Sequence, residues 1–93
     1  MQRRATIAAS VGLHARPAAL FAEQAAAQPS PVTIAKVTDG RPGTPVDGAS
    51  VLALMTLGAR HGEEVELTSD SPEALDALAA LLEQDLDEEP VTA

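Results

Sequence analysis

Cysteine is absent from this 93-residue chain, which removes disulfide bonds, thiolate metal ligands and thiol nucleophiles together. Aromatic side chains are almost absent too. There is no Trp or Tyr, and Phe21 is the single phenylalanine, which argues against a base-stacking surface for nucleic acid. Lys and Arg number 6 against 14 Asp and Glu, a formal net charge of −8, whereas phosphate neutralisation needs clustered cations. No apolar run approaches the ~20 residues of a membrane span. The opening Met1-Gln2-Arg3-Arg4-Ala5-Thr6-Ile7 has basic residues but lacks the long apolar stretch of a secretory signal. These shortages predict a cytoplasmic protein with no nucleic-acid partner and no membrane insertion. A chain of this length makes one domain that buries roughly 60–65% of its unfolded surface, with no room for a separate catalytic domain. We expect that domain over residues 1–88 and a frayed acidic tail over 89–93.

What the chain does contain is regular punctuation. Arg4-Ala5-Thr6-Ile7-Ala8-Ala9 reads as a first strand with Ala5, Ile7 and Ala9 inward. Pro17 suits a first helical position, so Arg16 is expected to be the last residue outside the helix. The alanine-rich run that follows continues to about Ala27, and Gln28-Pro29-Ser30-Pro31 breaks it. Val32-Thr33-Ile34-Ala35-Lys36-Val37 alternates with the period of a strand. Asp39-Gly40 and Arg41-Pro42-Gly43 mark a turn, and Thr44-Pro45-Val46 returns as a short strand that Pro45 confines to an edge or a bulge. Ser50 is placed to cap a short helix that Gly58 closes. Val65 and Leu67 point inward from the next strand. Ser71-Pro72-Glu73 combines a cap, a proline and an acid at a helix start. Leu75, Leu78, Ala79, Leu82 and Leu86 then form one stripe. The order is β-α-β-β-α-β-α. It predicts an α+β fold with its helices packed on one face of an antiparallel sheet.

Chemistry concentrates in Gly12-Leu13-His14-Ala15-Arg16-Pro17. Neither Ala15 nor Arg16 has the side-chain acceptor of a usual helix cap. The first-turn N–H groups, those of Ala15 and Arg16 among them, and the positive end of the helix dipole are therefore expected to face outward. Such a helix opening is an anion site, set here beside an imidazole and a guanidinium. Gly12 supplies the backbone freedom to present His14 there. The reference pKa of imidazole near 6.5 leaves much of it neutral at cytoplasmic pH, able to take or give a proton or a phosphoryl group. His61 has no ligand spacing to His14 and reads as a surface turn residue. Ser10 and Ser50 have no evident base partner, and no metal cluster or Gly-rich phosphate loop is present.

Gly-Leu-His-Ala-Arg-Pro resembles the active-site signature of the HPr family, the small histidine phosphocarriers of the bacterial phosphoenolpyruvate:sugar phosphotransferase system. Residues 46–58, Val-Asp-Gly-Ala-Ser-Val-Leu-Ala-Leu-Met-Thr-Leu-Gly, resemble the second block of that family, a serine followed by a short apolar helix ending in glycine. The resemblance implies an open-faced β-sandwich with a four-stranded antiparallel sheet and three helices on one face. It implies a carrier rather than an enzyme: His14 takes a phosphoryl group from phospho-enzyme I, with Nδ1 the reacting atom, and passes it to sugar-specific enzyme IIA components. Arg16 stabilises the phosphoryl charge, and no metal or cofactor takes part. Partners dock on a surface built from the first two helices, here Ala19, Leu20, Glu23, Val51, Leu52 and Met55. Ser50 falls at the family's regulatory serine, which a dedicated kinase phosphorylates in some bacteria. The chain departs from the family in having Val11 before the glycine, and Ala26 and Ala53 at partner-face positions that commonly hold lysine. A monomeric carrier is expected. Its branch stays open between sugar uptake, a nitrogen-related phosphotransfer chain and a dihydroxyacetone kinase. A module that docks on transcriptional regulators is the alternative from another class.

Overall fold

The structure is a computed structural model, described over residues 1–10 and 12–84. Its elements are β1 (Gln2–Thr6), α1 (Ala15–Ala26), β2 (Thr33–Thr38), β3 (Arg41–Pro42), β4 (Val46–Asp47), α2 (Val51–Leu57), β5 (Glu64–Thr68) and α3 (Pro72–Leu82). The sheet is antiparallel throughout in the order β1-β5-β2-β3, and β4 also pairs with β2. β3 and β4 are two pieces of a single return strand, with Pro42 opposite Val37 and Val46 opposite Ile34. The expected strand at Thr44-Pro45-Val46 is thus interrupted. Proline has no N–H for the ladder, and Pro42 and Pro45 bracket the break. Gly43 N–H restores one bond to the Lys36 carbonyl at 2.8 Å. Asp39 and Gly40 have φ of 52° and 78°, the paired left-handed conformation of a tight two-residue hairpin.

One face of the sheet carries Ala5, Ile34, Val65 and Leu67, all buried under the helices. The other face is polar. There Arg4 Nε pairs with Glu66 Oε2 at 3.2 Å, while Arg4 Nη1 reaches Glu64 Oε1 at 3.5 Å. Arg4 Nη2 also donates to the Gly40 carbonyl of the hairpin at 3.0 Å. Ala35 and Val37 share that open face, by register with Glu66 and Glu64, yet both are buried. β2 is central, flanked by β5 on one side and by β3 and β4 on the other, so its neighbours cover side chains of both parities.

β1 begins and ends earlier than expected, although Ile7 and Ala9 still point inward beyond it. Ile7 N–H bonds the Glu63 carbonyl at 2.9 Å, and Ala8 N–H bonds that of Leu82 at 3.0 Å. α1 buries Pro17, Ala18, Phe21, Ala22 and Ala25, the face expected from helical spacing with Pro17 added. Phe21 is fully enclosed. A buried phenylalanine of this kind contributes about 3–5 kcal/mol relative to alanine. α3 starts as its sequence prescribes: Ser71 Oγ accepts the Ala74 N–H at 3.2 Å, and Pro72 occupies the first turn. Its stripe of Leu75, Leu78, Ala79 and Leu82 is buried, and an Arg3–Asp76 ion pair ties it to β1. Leu86 and residues 85–93, including the tail boundary, lie outside the described residues, as does Val11.

Candidate functional site

The chain leaves Ala9 in a tight turn, with Gly12 N–H bonded to the Ala9 carbonyl at 2.9 Å. Gly12 adopts φ +75°, and a Cβ there would stand 2.6 Å from the Ala59 carbonyl oxygen and 2.9 Å from Arg60 Cα. Only glycine meets both conditions, positive φ and backbone-on-backbone approach. Leu13 is buried, and its N–H donates to the Ala59 carbonyl at 2.9 Å, while His14 N–H closes a turn onto the Gly12 carbonyl at 3.0 Å. Residues 12–14 are thus clamped to the segment that leaves α2.

That second segment has its own anchor. Gly58 ends α2 in the left-handed conformation, φ 72°. Glu63 Oε1 accepts the Arg60 N–H at 2.8 Å, and Glu63 Oε2 pairs with Lys36 Nζ at 3.4 Å. The Arg60 N–H holds the Glu63 carboxyl below the usual carboxylate range; partial desolvation opposes this, and the Lys36 ammonium adds to it. Lys36 Nζ also reaches the Gly58 carbonyl at 3.4 Å.

His14 is the N-cap residue of α1, extended at φ −135° and ψ 152°, exposed, and without a side-chain cap bond. The helix starts at Ala15, two residues before the expected position of Pro17. Proline is tolerated there because N–H groups throughout the first turn lack helical acceptors. Pro17 is consequently a buried third residue of α1 rather than its first. Ala15 has φ +44°, a left-handed value that costs a non-glycine residue about 1 kcal/mol. Arg16 is exposed beside His14 in sequence.

α2 lies against α1 and runs antiparallel to it. Gly48, ahead of α2, abuts the Phe21 ring, and Ala59, beyond α2, bonds Leu13. Ser50 caps α2, its Oγ accepting the Ala53 N–H at 3.2 Å. Leu52 is 77% exposed and Val51 37%, the exposed large hydrophobic side chains among the described residues besides Met1. Ala19 and Glu23 are exposed and Leu20 is half-buried. Met55, assigned above to the docking surface, is half-buried and packs against the core edge, because the short α2 sends Leu54 inward with Met55 at its flank. His61 is exposed in the turn after α2.

A model of the family described as PTS HPr component phosphorylation site matches residues 1–84. The chain belongs to the HPr family. It is 46% identical to the phosphocarrier protein HPr of Streptomyces coelicolor over 98% of its own length and 97% of that protein's. Among solved structures it resembles HPr-C-His from Thermoanaerobacter tengcongensis, with a TM-score of 0.78, 32% identity, and coverage of 97% of this chain and 99% of that one. HPr from Bacillus anthracis gives a TM-score of 0.76 at 34% identity, covering 88% and 95% of the two chains. The open-faced sandwich and the phosphocarrier role in the phosphotransferase system are therefore those of HPr.

Two features of this site are not legible in the sequence: the Gly12–Ala59–Arg60 contact and the Glu63 anchor beside it. Gly58 and Gly62 signalled a turn, but no local signal says which distant backbone that turn touches. Among the described residues no helix is long and apolar enough to cross a membrane.

Proposed function

We propose that His14 is the phosphoryl acceptor and donor of this carrier. A ring-nitrogen lone pair of the neutral imidazole attacks phosphorus on phospho-enzyme I. The P–N bond to enzyme I's histidine breaks as a new P–N bond to His14 forms. The reverse exchange delivers the group to sugar-specific enzyme IIA components during phosphoenolpyruvate-dependent uptake. The chain carries the group and catalyses no net reaction of its own. Arg16 neutralises phosphoryl charge through its guanidinium, and backbone N–H groups of Ala15 and Arg16 at the positive end of α1 stabilise it further. Such transfer is governed by positioning and electrostatics. The observation carrying this reading is an exposed histidine at a helix start that lacks a side-chain cap, on a loop pinned by a glycine-only backbone contact.

Partners dock across α1 and α2, where Ala19, Leu20, Glu23, Val51, Leu52 and Met55 offer a mixed apolar surface around an antiparallel helix pair. A serine kinase acting on Ser50 would place a dianion beside Val51 and Leu52 and repel phosphorylated partners. The protein works as a monomer in the cytoplasm. The test is intact mass after incubation with phosphoenolpyruvate, magnesium and enzyme I. One acid-labile phosphoryl group is expected on the wild type and none on His14→Ala; a phosphorylated His14→Ala variant overturns the assignment.

A further inference from the structure

We propose that Arg60 is a specificity-determining residue of the exchange: its guanidinium engages an acidic group on the partner protein while that partner faces His14. This rests on the carrier reading above. The Arg60 backbone is fastened to the histidine loop, since its Cα lies 2.9 Å from where a Gly12 Cβ would stand. With consecutive Cα atoms about 3.8 Å apart, Arg60 Cα then lies within about 12 Å of that of His14. An arginine side chain spans most of that distance.

Local structure leaves the guanidinium without an ion pair, although its charge adds to what holds the Glu63 carboxyl low. Arg60 is exposed and makes no ion pair among the described residues. The acid best placed to neutralise it, Glu63, uses Oε1 for the Arg60 backbone N–H and Oε2 for Lys36. Arg3, Arg4 and Lys36 are spent on Asp76, Glu64, Glu66 and Glu63. The structural task at position 60 is performed by the main chain and survives side-chain truncation. In a chain of net charge −8, approach to a partner carrying an anionic phosphoryl group is repulsive unless cations stand at the point of contact. Arg60 meets that requirement from the α2 side of the loop.

The experiment measures initial rates of phosphoryl transfer from enzyme I, charged with phosphoenolpyruvate, to wild type, Arg60→Ala, Arg60→Glu and Arg60→Lys at low and high salt. Arg60→Ala is expected to raise KM roughly 3- to 10-fold, with a larger rise for Arg60→Glu and kcat little changed. Arg60→Lys should stay near wild type. The differences should shrink at about 0.5 M salt, where screening is strong. Thermal melts should coincide for all four proteins. KM values and salt slopes unchanged by Arg60→Ala and Arg60→Glu, or a loss confined to kcat, overturn the inference while leaving the carrier reading intact. A wild-type chain that takes no phosphoryl group overturns both.

Discussion

Replacing Gly12 with alanine tests whether backbone contact between the histidine loop and the α2 exit organises the site. Two costs add. Holding an L-residue at φ +75° costs about 1–2 kcal/mol. The new methyl would sit 2.6 Å from the Ala59 oxygen, and relieving such an overlap typically costs about 1–3 kcal/mol. Reduced freedom of the unfolded chain returns about 0.4–1 kcal/mol. The net loss is roughly 1–4.5 kcal/mol, against a total of about 5–14 kcal/mol for a domain of this size. At about 4–8 °C per kcal/mol, the melting temperature should fall by roughly 5–35 °C. Gly40→Ala is the control. It has nearly the same torsion, φ +78°, but nothing within 4 Å of the added carbon, so only the conformational cost applies. Its loss is expected to be about 1 kcal/mol. Thermal and urea unfolding of both variants measure the difference directly, and phosphorylation of Gly12→Ala should slow because Leu13 loses its bond to Ala59. If Gly12→Ala melts no lower than Gly40→Ala, close approach is not what demands glycine there, and the reasoning fails.

Ser50→Ala removes the acceptor for the Ala53 N–H and should cost about 1 kcal/mol in urea unfolding, whereas Ser50→Asp keeps a capping oxygen and should melt near wild type while slowing exchange with enzyme I. Equal unfolding midpoints for Ser50→Ala and wild type would remove the capping role. The folded-state pKa of Glu63 lies below its unfolded value, so its contribution is complete above about pH 5 and is lost as pH falls through the carboxylate range. Glu63→Gln should therefore be less stable than wild type at neutral pH, with the gap closing in acid; a gap that widens on acidification contradicts the assigned hydrogen bond and Lys36 pairing.

Much of the fold was legible because its signals are local. The Ser71-Pro72-Glu73 start, the Ser50 cap and Gly58 stop of α2, and the buried stripe of α1 each depend on residues within a turn or two of one another. The hairpin at Asp39-Gly40 is likewise written in a dipeptide. Misplacements occurred where local rules permit several answers. Proline is acceptable at any early position of a helix, so Pro17 did not specify its start. Pro45 marked a disturbed strand without showing that the return would break into β3 and β4.

The amino-acid order by itself determined the local setting of the group we propose to be reactive, a histidine on a glycine-introduced loop followed by a helix with no capping side chain. These follow from residue chemistry and near-neighbour torsions. Only the tertiary structure decided what holds that histidine still. The hydrogen bond from Leu13 to Ala59, the meeting of Gly12 with Arg60 and the Glu63–Lys36 brace join segments far apart in the chain. Their pairing depends on the sheet bringing β2 beside β5 and on α2 packing antiparallel to α1, a result of collective burial that no short stretch of sequence encodes.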